Sequence, residues 1–191
     1  MTGMPAKRST FHHGAVKAHT IDAAMKLLQG GVEKVTMRAV ATGLGVTHRS
    51  LYNHFADRAA LMEALAAEGF EMLAMQLEGA KEPRSFVRAF ASFALGHPDL
   101  YGVMMGRANA RQEANASLKS AIGKVINLSL AVLSPNSGEE STHEKTAPRR
   151  RVMRTWMTIH GGLALNRAGM LAHRSDDAFL DEMEAILFSD L

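Results

Sequence analysis

Apolar positions along this chain recur every three to four residues, and nowhere do they alternate with period two for long enough to build a sheet. The spacing predicts a first helix over residues 15–29, with Ile21, Ala24, Met25 and Leu28 as its buried stripe and Gly30-Gly31 as its stop. After a densely patterned stretch at 35–56, a long helix over 57–79 is capped by Asp57 and carries Leu61, Leu65, Leu73 and Leu77, until Lys81-Glu82-Pro83 breaks it. Ser85 starts another, with Phe86, Phe90 and Phe93 on its apolar side. His97-Pro98 interrupts again, because a residue before proline disfavours helical geometry. A short helix follows with Leu100, Tyr101, Met104 and Met105, then a longer one over 109–133 through Leu118, Ile122, Val125 and Leu128. Residues 134–148 are polar and rich in turn formers and read as a loop. A helix over 149–172 and a last one capped by Ser175, with Phe179, Met183, Ile186 and Leu187, complete an all-α chain of about nine helices. No run of about 18 apolar residues stands out as a membrane span.

The stretch 35–61, VTMRAVATGLGVTHRSLYNHFADRAAL, carries the most information. Thr36 is an N-cap residue before MRAVATGL, in which Met37, Val40, Ala41 and Leu44 share one face. Gly45 can take the left-handed conformation that ends this helix, and Val46 pins the turn to the core. Thr47 caps a second helix, HRSLYNHF, with Leu51 and Phe55 inward. His48, Arg49, Ser50, Tyr52, Asn53 and His54 face outward, a donor-rich surface almost free of carboxylates. A short exposed helix braced at a fixed angle by another fits the major groove of DNA. A solvated structural hairpin is the plainer alternative.

The combination of Thr36, Ala41, Gly45, Val46, Leu51, Tyr52, His54, Phe55 and Leu61 resembles the DNA-binding domain of the TetR family of bacterial transcriptional regulators. Arg58 stands where that family usually has lysine, so a forked guanidinium replaces a point charge. FHHG at 11–14 is similar to the lead-in of one subgroup, although Ala15 departs from its helix-capping Asp or Asn. AEGF at 67–70 resembles the continuation of the family's fourth helix, while FALGHPDLYGVMMG at 93–106 and the W-x-x-x-H-G pattern of Trp156, His160 and Gly161 resemble the WHG-type C-terminal domain of that subgroup. The resemblance implies an N-terminal three-helix helix-turn-helix domain at 1–56 and a helical effector-binding and dimerisation domain at 57–191. It implies that Thr47, Tyr52 and His54 hold phosphates; Thr36, Arg38, Asn53 and Arg58 are further candidates for the DNA, and His48, Arg49 and Ser50, near the N-terminal end of the second helix, are the candidates for base edges. It further implies a cytoplasmic repressor that binds a palindromic operator and is released by a small-molecule effector.

Charge sharpens this picture. Residues 1–58 hold eight Lys/Arg and three Asp/Glu, a net of +5, and the remainder nets −2, together the overall +3. Five of the nine histidines also fall in the first 58 residues, so a basic N-terminal module sits on a slightly acidic body. Lys7 and Arg8, ahead of any periodic pattern, suggest an arm that follows the DNA backbone or minor groove, against the alternative of an unengaged tail. The chain has no cysteine, which excludes disulfides, thiolate metal sites and a cysteine nucleophile. His12-His13 lacks the further ligands of a metal site, and there is no Walker-type loop. Glu139-Glu140 and Asp176-Asp177 read as solvated carboxylates, not an acid and base pair. No enzyme chemistry, cofactor or metal is expected.

The helix at 149–172 is apolar on two sides, through Val152, Trp156, Ile159 and Leu163 and through Met153, Met157, His160 and Ala164. Such a helix is buried between two partners. In the family the last two helices pair with their copies, so a homodimer is expected here; packing of both faces inside one domain is the alternative. Aromatics and methionines gather in the second domain, and thirteen methionines suit an adaptable apolar cavity. Phe90, Phe93, Tyr101, Met104, Met105, Trp156 and His160 are the candidate effector contacts, with plain core as the competing reading. Two further readings stay open: a ligand-independent DNA-binding protein of the same fold, and an all-helical enzyme using the C-terminal pocket.

Overall fold

The computed structural model describes residues 13–108, 115–134, 147–171 and 173–189, with the backbone alone at 13–15, 147 and 148. Among these residues the chain forms nine α-helices and no strand. They are α1 (His13–Leu28), α2 (Met37–Leu44), α3 (His48–Tyr52), α4 (Arg58–Glu78), α5 (Pro83–Gly96), α6 (Pro98–Arg107), α7 (Ala116–Leu133), α8 (Ala147–Arg167) and α9 (Asp176–Phe188), with a single 3-10 turn at Val32–Lys34. Contacts divide the chain into a unit ending at Leu65 and a unit beginning at Ala66, a boundary that falls inside α4. A division between residues 56 and 57, as the sequence suggests, stands at the start of that helix.

The first unit is built on caps. The Thr36 side chain accepts from Ala39 N at 3.1 Å and Thr47 from Ser50 N at 3.3 Å, each satisfying an otherwise orphan helical donor. Gly45 adopts φ 65°, and Val46 N returns to Ala41 O at 3.1 Å, which closes α2. Asp57 Oδ1 accepts from Ala60 N at 2.8 Å and opens α4. Ala24, Leu28, Val35, Met37, Val40, Ala41, Leu51, Phe55 and Leu61 form the buried set of this unit, with Ile21, Met25, Leu44 and Val46 half-buried around it.

In the second unit Phe86, Phe90, Phe93, Phe179, Met104, Leu118 and Ile159 are fully buried. Each is worth about 1.5–3 kcal/mol relative to exposure. α5 lies at the centre, against α6, α7, α8 and α9. Arg88 on α5 donates through Nε to Glu184 Oε1 at 2.6 Å and also pairs with Asp181 of α9; these bonds raise its pKa further above its ordinary value. α7 buries Leu118, Ala121, Val125, Ser129 and Leu133 against α5 and α8. With 18 residues and a mean hydropathy of 1.3 it is long and apolar enough to cross a bilayer, contrary to the expectation of no such run. It also carries Lys119 and Lys124, the latter in an ion pair with Glu71 at 2.6 Å.

Several expected boundaries shift for identifiable reasons. α3 ends at Tyr52, so Phe55 is buried from the turn beyond it rather than from the helix. α5 begins at Pro83 rather than Ser85, because proline needs no N–H at the first helical position. α8 ends at Arg167 rather than 172: Gly169 takes φ 68° and Met170 N returns to Leu165 O at 3.0 Å. Ala147 and Pro148, expected in the loop, belong to α8. Asn115 caps α7 by accepting from Leu118 N at 3.0 Å, while residues 109–114 of the expected helix lie outside the described residues. Ile186, expected on the inner side of α9, is 62% exposed.

Candidate nucleic-acid interface and C-terminal cavity

Two capped helices and a left-handed glycine set the geometry of the first site. The turn Gly45-Val46-Thr47 fixes α3 against α2, and Leu51 anchors α3 from beneath with no exposed area. What remains outward is polar. His48, Arg49, Tyr52 and Asn53 are exposed, and Ser50 and His54 are half-buried. The His48 and Tyr52 rings meet edge to face with centroids 5.0 Å apart, one turn from each other. Among the described residues no carboxylate pairs with Arg38 or Arg49. Thr36 and Arg38 are exposed at the start of α2. A helix of this size with polar donors on its solvent side has the width and the chemistry to read a groove. Lys7 and Arg8 lie outside the described residues, as do Phe11 and His12.

Arg58 has an occupation that sequence reasoning did not foresee. Its Nε donates to Val35 O at 2.6 Å and its terminal nitrogen to Val32 O at 2.8 Å. The fork thereby satisfies two carbonyls of the segment that leads into α2. A lysine ammonium could not span both in this planar arrangement.

The second unit carries a cavity of about 490 Å³ between α5, α6 and α8. Tyr101, Met105 and His160 line it, together with Ala94, Leu163 and Arg167 among others. Phe90, Phe93 and Met104, also expected to contact a ligand, are fully buried and pack as core beneath it. Trp156 is half-buried, and its Nε1 donates to Ser129 Oγ at 3.2 Å. Ser129 Oγ in turn donates to Val125 O at 2.7 Å, so the indole N–H is committed to the protein.

The polar element of the cavity is the pair of Tyr101 and His160, whose phenol oxygen and Nδ1 are hydrogen-bonded. Phe90 meets both rings nearly edge-on, at centroid distances of 6.4 and 5.8 Å. Burial pushes the Tyr101 phenol well above its ordinary value and the His160 imidazole below its own. Burial therefore favours the uncharged form of both groups, and the bond joins a protonated phenol to a neutral imidazole. Arg167 at the edge donates to Pro98 O at 3.0 Å and lies 3.5 Å from Asp99. The cavity is thus mainly apolar, with neutral donors inside and a compensated cation at its rim.

Some lining residues escaped the sequence reading although a signal existed. Leu163, Ala164 and Arg167 follow His160 at three, four and seven residues, on one face of α8. Ala94 and Pro98 precede Tyr101 in the same rhythm, interrupted by the helix break.

Comparison with known proteins places both units. The family pattern described as bacterial regulatory proteins, tetR family, matches residues 21–65. The pattern described as tetracyclin repressor-like, C-terminal domain, matches residues 84–187. No curated protein matches the chain. Among solved structures, a protein of unknown function from Rhodococcus sp. RHA1 is 26% identical, with a TM-score of 0.74 over 96% of this chain and 99% of its own. A TetR-like transcriptional regulator from the same organism is 18% identical, with a TM-score of 0.59 over 94% of this chain and 97% of its own. A TetR variant from Acinetobacter baumannii AYE in complex with minocycline is 20% identical, with a TM-score of 0.58 over 94% of this chain and 96% of its own. The latter two likenesses establish the fold.

Proposed function

Because the chain belongs to the TetR family of DNA-binding transcriptional regulators and is therefore not an enzyme, we propose that it is a repressor that binds a palindromic operator as a homodimer and is released by a small-molecule effector. The observation that carries this reading is the capped pair α2 and α3, which holds Arg49 exposed on a short helix without an acidic partner among the described residues. His48, Arg49 and Ser50 are assigned to base edges, since they lie at the N-terminal end of the reading helix. Thr36, Arg38, Thr47, Tyr52, Asn53 and His54 are assigned to the sugar-phosphate backbone, with Lys7 and Arg8 as an arm beside it. Arg58 is assigned to bracing the lead-in to α2.

A dimer gives the reader its span, because one helix of five residues touches few bases while two on a twofold axis read half-sites one turn apart. Support for the last two helices as its interface comes from Met153, Met157 and Ile186, which are exposed on α8 and α9. Effector binding is assigned to the cavity of Tyr101, Met105 and His160. The minocycline bound by the Acinetobacter protein shows that this fold can accept a small molecule. The W-x-x-x-H-G pattern supports placement in the WHG-type subgroup, and action on bacterial DNA implies the cytoplasm. A ligand-independent regulator is the second reading, favoured by the complete burial of Phe90, Phe93 and Met104.

Selection of bound sites from random duplex DNA, repeated with a metabolite panel, tests the proposal. A palindrome should be enriched, and an effector should release it. Linkage requires operator DNA to weaken effector binding by the same factor, typically about 5–150-fold. Equal effector affinity with and without operator would leave the ligand-independent reading; no enriched site would remove both.

A further inference from the structure

We propose that the second unit carries a separate binding site for a small amphiphilic anion, an apolar chain with a phosphate or carboxylate head group, in a groove at the end where α5 and α8 begin and α7 and α9 finish. The groove encloses about 530 Å³, within the range of small-molecule sites. Its apolar surface comes from Pro83, Leu133, Leu187 and Phe188, and its charged wall from Arg150, Arg151 and Arg154 on the first turns of α8. Arg84 adds a fourth guanidinium, 5.2 Å from the centre of the Phe188 ring.

These arginines differ from the others on the same elements. Arg88, one turn along α5, is surrounded by Asp177, Asp181 and Glu184. Among the described residues no carboxylate pairs with Arg84, Arg150, Arg151 or Arg154. Arg150 and Arg154 also stand four residues apart on one helix face, where like charges repel. An anion between them relieves that repulsion, and a guanidinium fork grips phosphate or carboxylate through two parallel bonds. Glu82, beside Pro83 in the sequence, is a carboxylate at the same end of α5 and opposes this. The apolar side of the groove distinguishes the ligand from free phosphate, because Pro83 and Phe188, half-buried over the core residues Leu133 and Leu187, leave apolar surface against water that a hydrocarbon chain covers. This site is distinct from the cavity of Tyr101 and His160 and does not depend on the DNA-binding reading.

Titration calorimetry on the full chain tests it, with decyl phosphate kept below its micellar concentration. The expected result is one decyl phosphate per chain, bound at least tenfold more tightly than decanol or inorganic phosphate. Arg150→Ala combined with Arg154→Ala, both at exposed positions, should weaken it at least tenfold with an unchanged circular dichroism spectrum. Ala164→Trp, which fills the other cavity, should leave it unaltered. Equal binding of decanol, an unaffected double variant, or loss of binding in Ala164→Trp would each overturn the proposal. So would binding to phosphatidylglycerol vesicles without binding of monomeric decyl phosphate, which would make the arginines a membrane contact.

Discussion

The phenol of Tyr101 on α6 and Nδ1 of His160 on α8 are hydrogen-bonded across 59 residues of sequence, inside a cluster completed by Phe90 and Trp156. Both groups are neutral because burial opposes either charge. The consequence for stability has a definite sign. The folded state holds His160 unprotonated below its ordinary value of 6.5, where the unfolded chain takes up a proton. The unfolded state then binds more protons, so stability falls as the pH drops through about 6.5 until the lowered folded value is passed. Melting temperature against pH from 7.5 to 5 should therefore fall less steeply for His160→Phe than for the parent. Tyr101→Phe at pH 7.5 removes one partner of this bond and should cost about 1 kcal/mol, or about 2–4 °C. Parallel pH profiles for parent and His160→Phe would show that the buried ring is not the group that titrates.

Replacement of Arg49 by alanine should relax operator preference at one position in each half-site. The cost should be about 1–3 kcal/mol if the contact is bidentate to guanine. Competition binding against single-base operator variants measures this. Affinity and preference equal to the parent would take Arg49 off the base edges.

Arg58→Ala is expected to act through folding rather than through the duplex. Two backbone carbonyls, of Val32 and Val35, lose their donors, at about 1–3 kcal/mol for a buried one left unsatisfied, less for the exposed partner. Arg58→Lys should recover only part of this. Denaturant unfolding reads the stability, and the slope of affinity against salt should not change, since no phosphate contact is removed. A slope lowered by about one unit would return Arg58 to the DNA.

Met157 is 68% exposed on α8, beside Gly161 and across from Ile186 in an apolar groove of about 630 Å³. On the proposed homodimer through α8 and α9, Met157→Asp should convert dimer to monomer in analytical ultracentrifugation and weaken operator binding, because the interface would bury a carboxylate without a partner. The melting temperature of the monomer fold should change little. A dimer of parental strength would move the interface elsewhere.

Much of the fold was legible because its punctuation is chemical and local. Thr36, Thr47, Asp57, Asn115 and Ser175 are capping residues by side-chain type, and Asn115 alone fell inside an expected helix. The end of α8 was misplaced because apolar spacing continues to Leu171 while a left-handed glycine stops the backbone at Gly169. The exposure of Ile186 follows from a rotation of α9 set by Phe179, Met183 and Leu187, which the pattern of one helix cannot choose. Arg58 and the cavity wall depend on which elements meet in space. The guanidinium finds carbonyls more than twenty residues away, and Arg167 reaches Pro98 across 69. Conversely, Tyr101, Met105 and His160 were found by type, as polar and soft groups on otherwise apolar faces.

The bond between Arg88 and Glu184 spans 96 residues, whereas the first unit packs α1 on α2 and α2 on α3, neighbours in the chain. During synthesis at about 5–20 residues per second, the N-terminal unit can therefore assemble within seconds of its own completion, while α5 waits several more for α9. Until then Phe86 and Phe90 lack part of their cover. A nascent chain stalled before residue 176 would present a finished reader on a body whose α5 still lacks α9, with Phe86 and Phe90 open to chaperones and proteases.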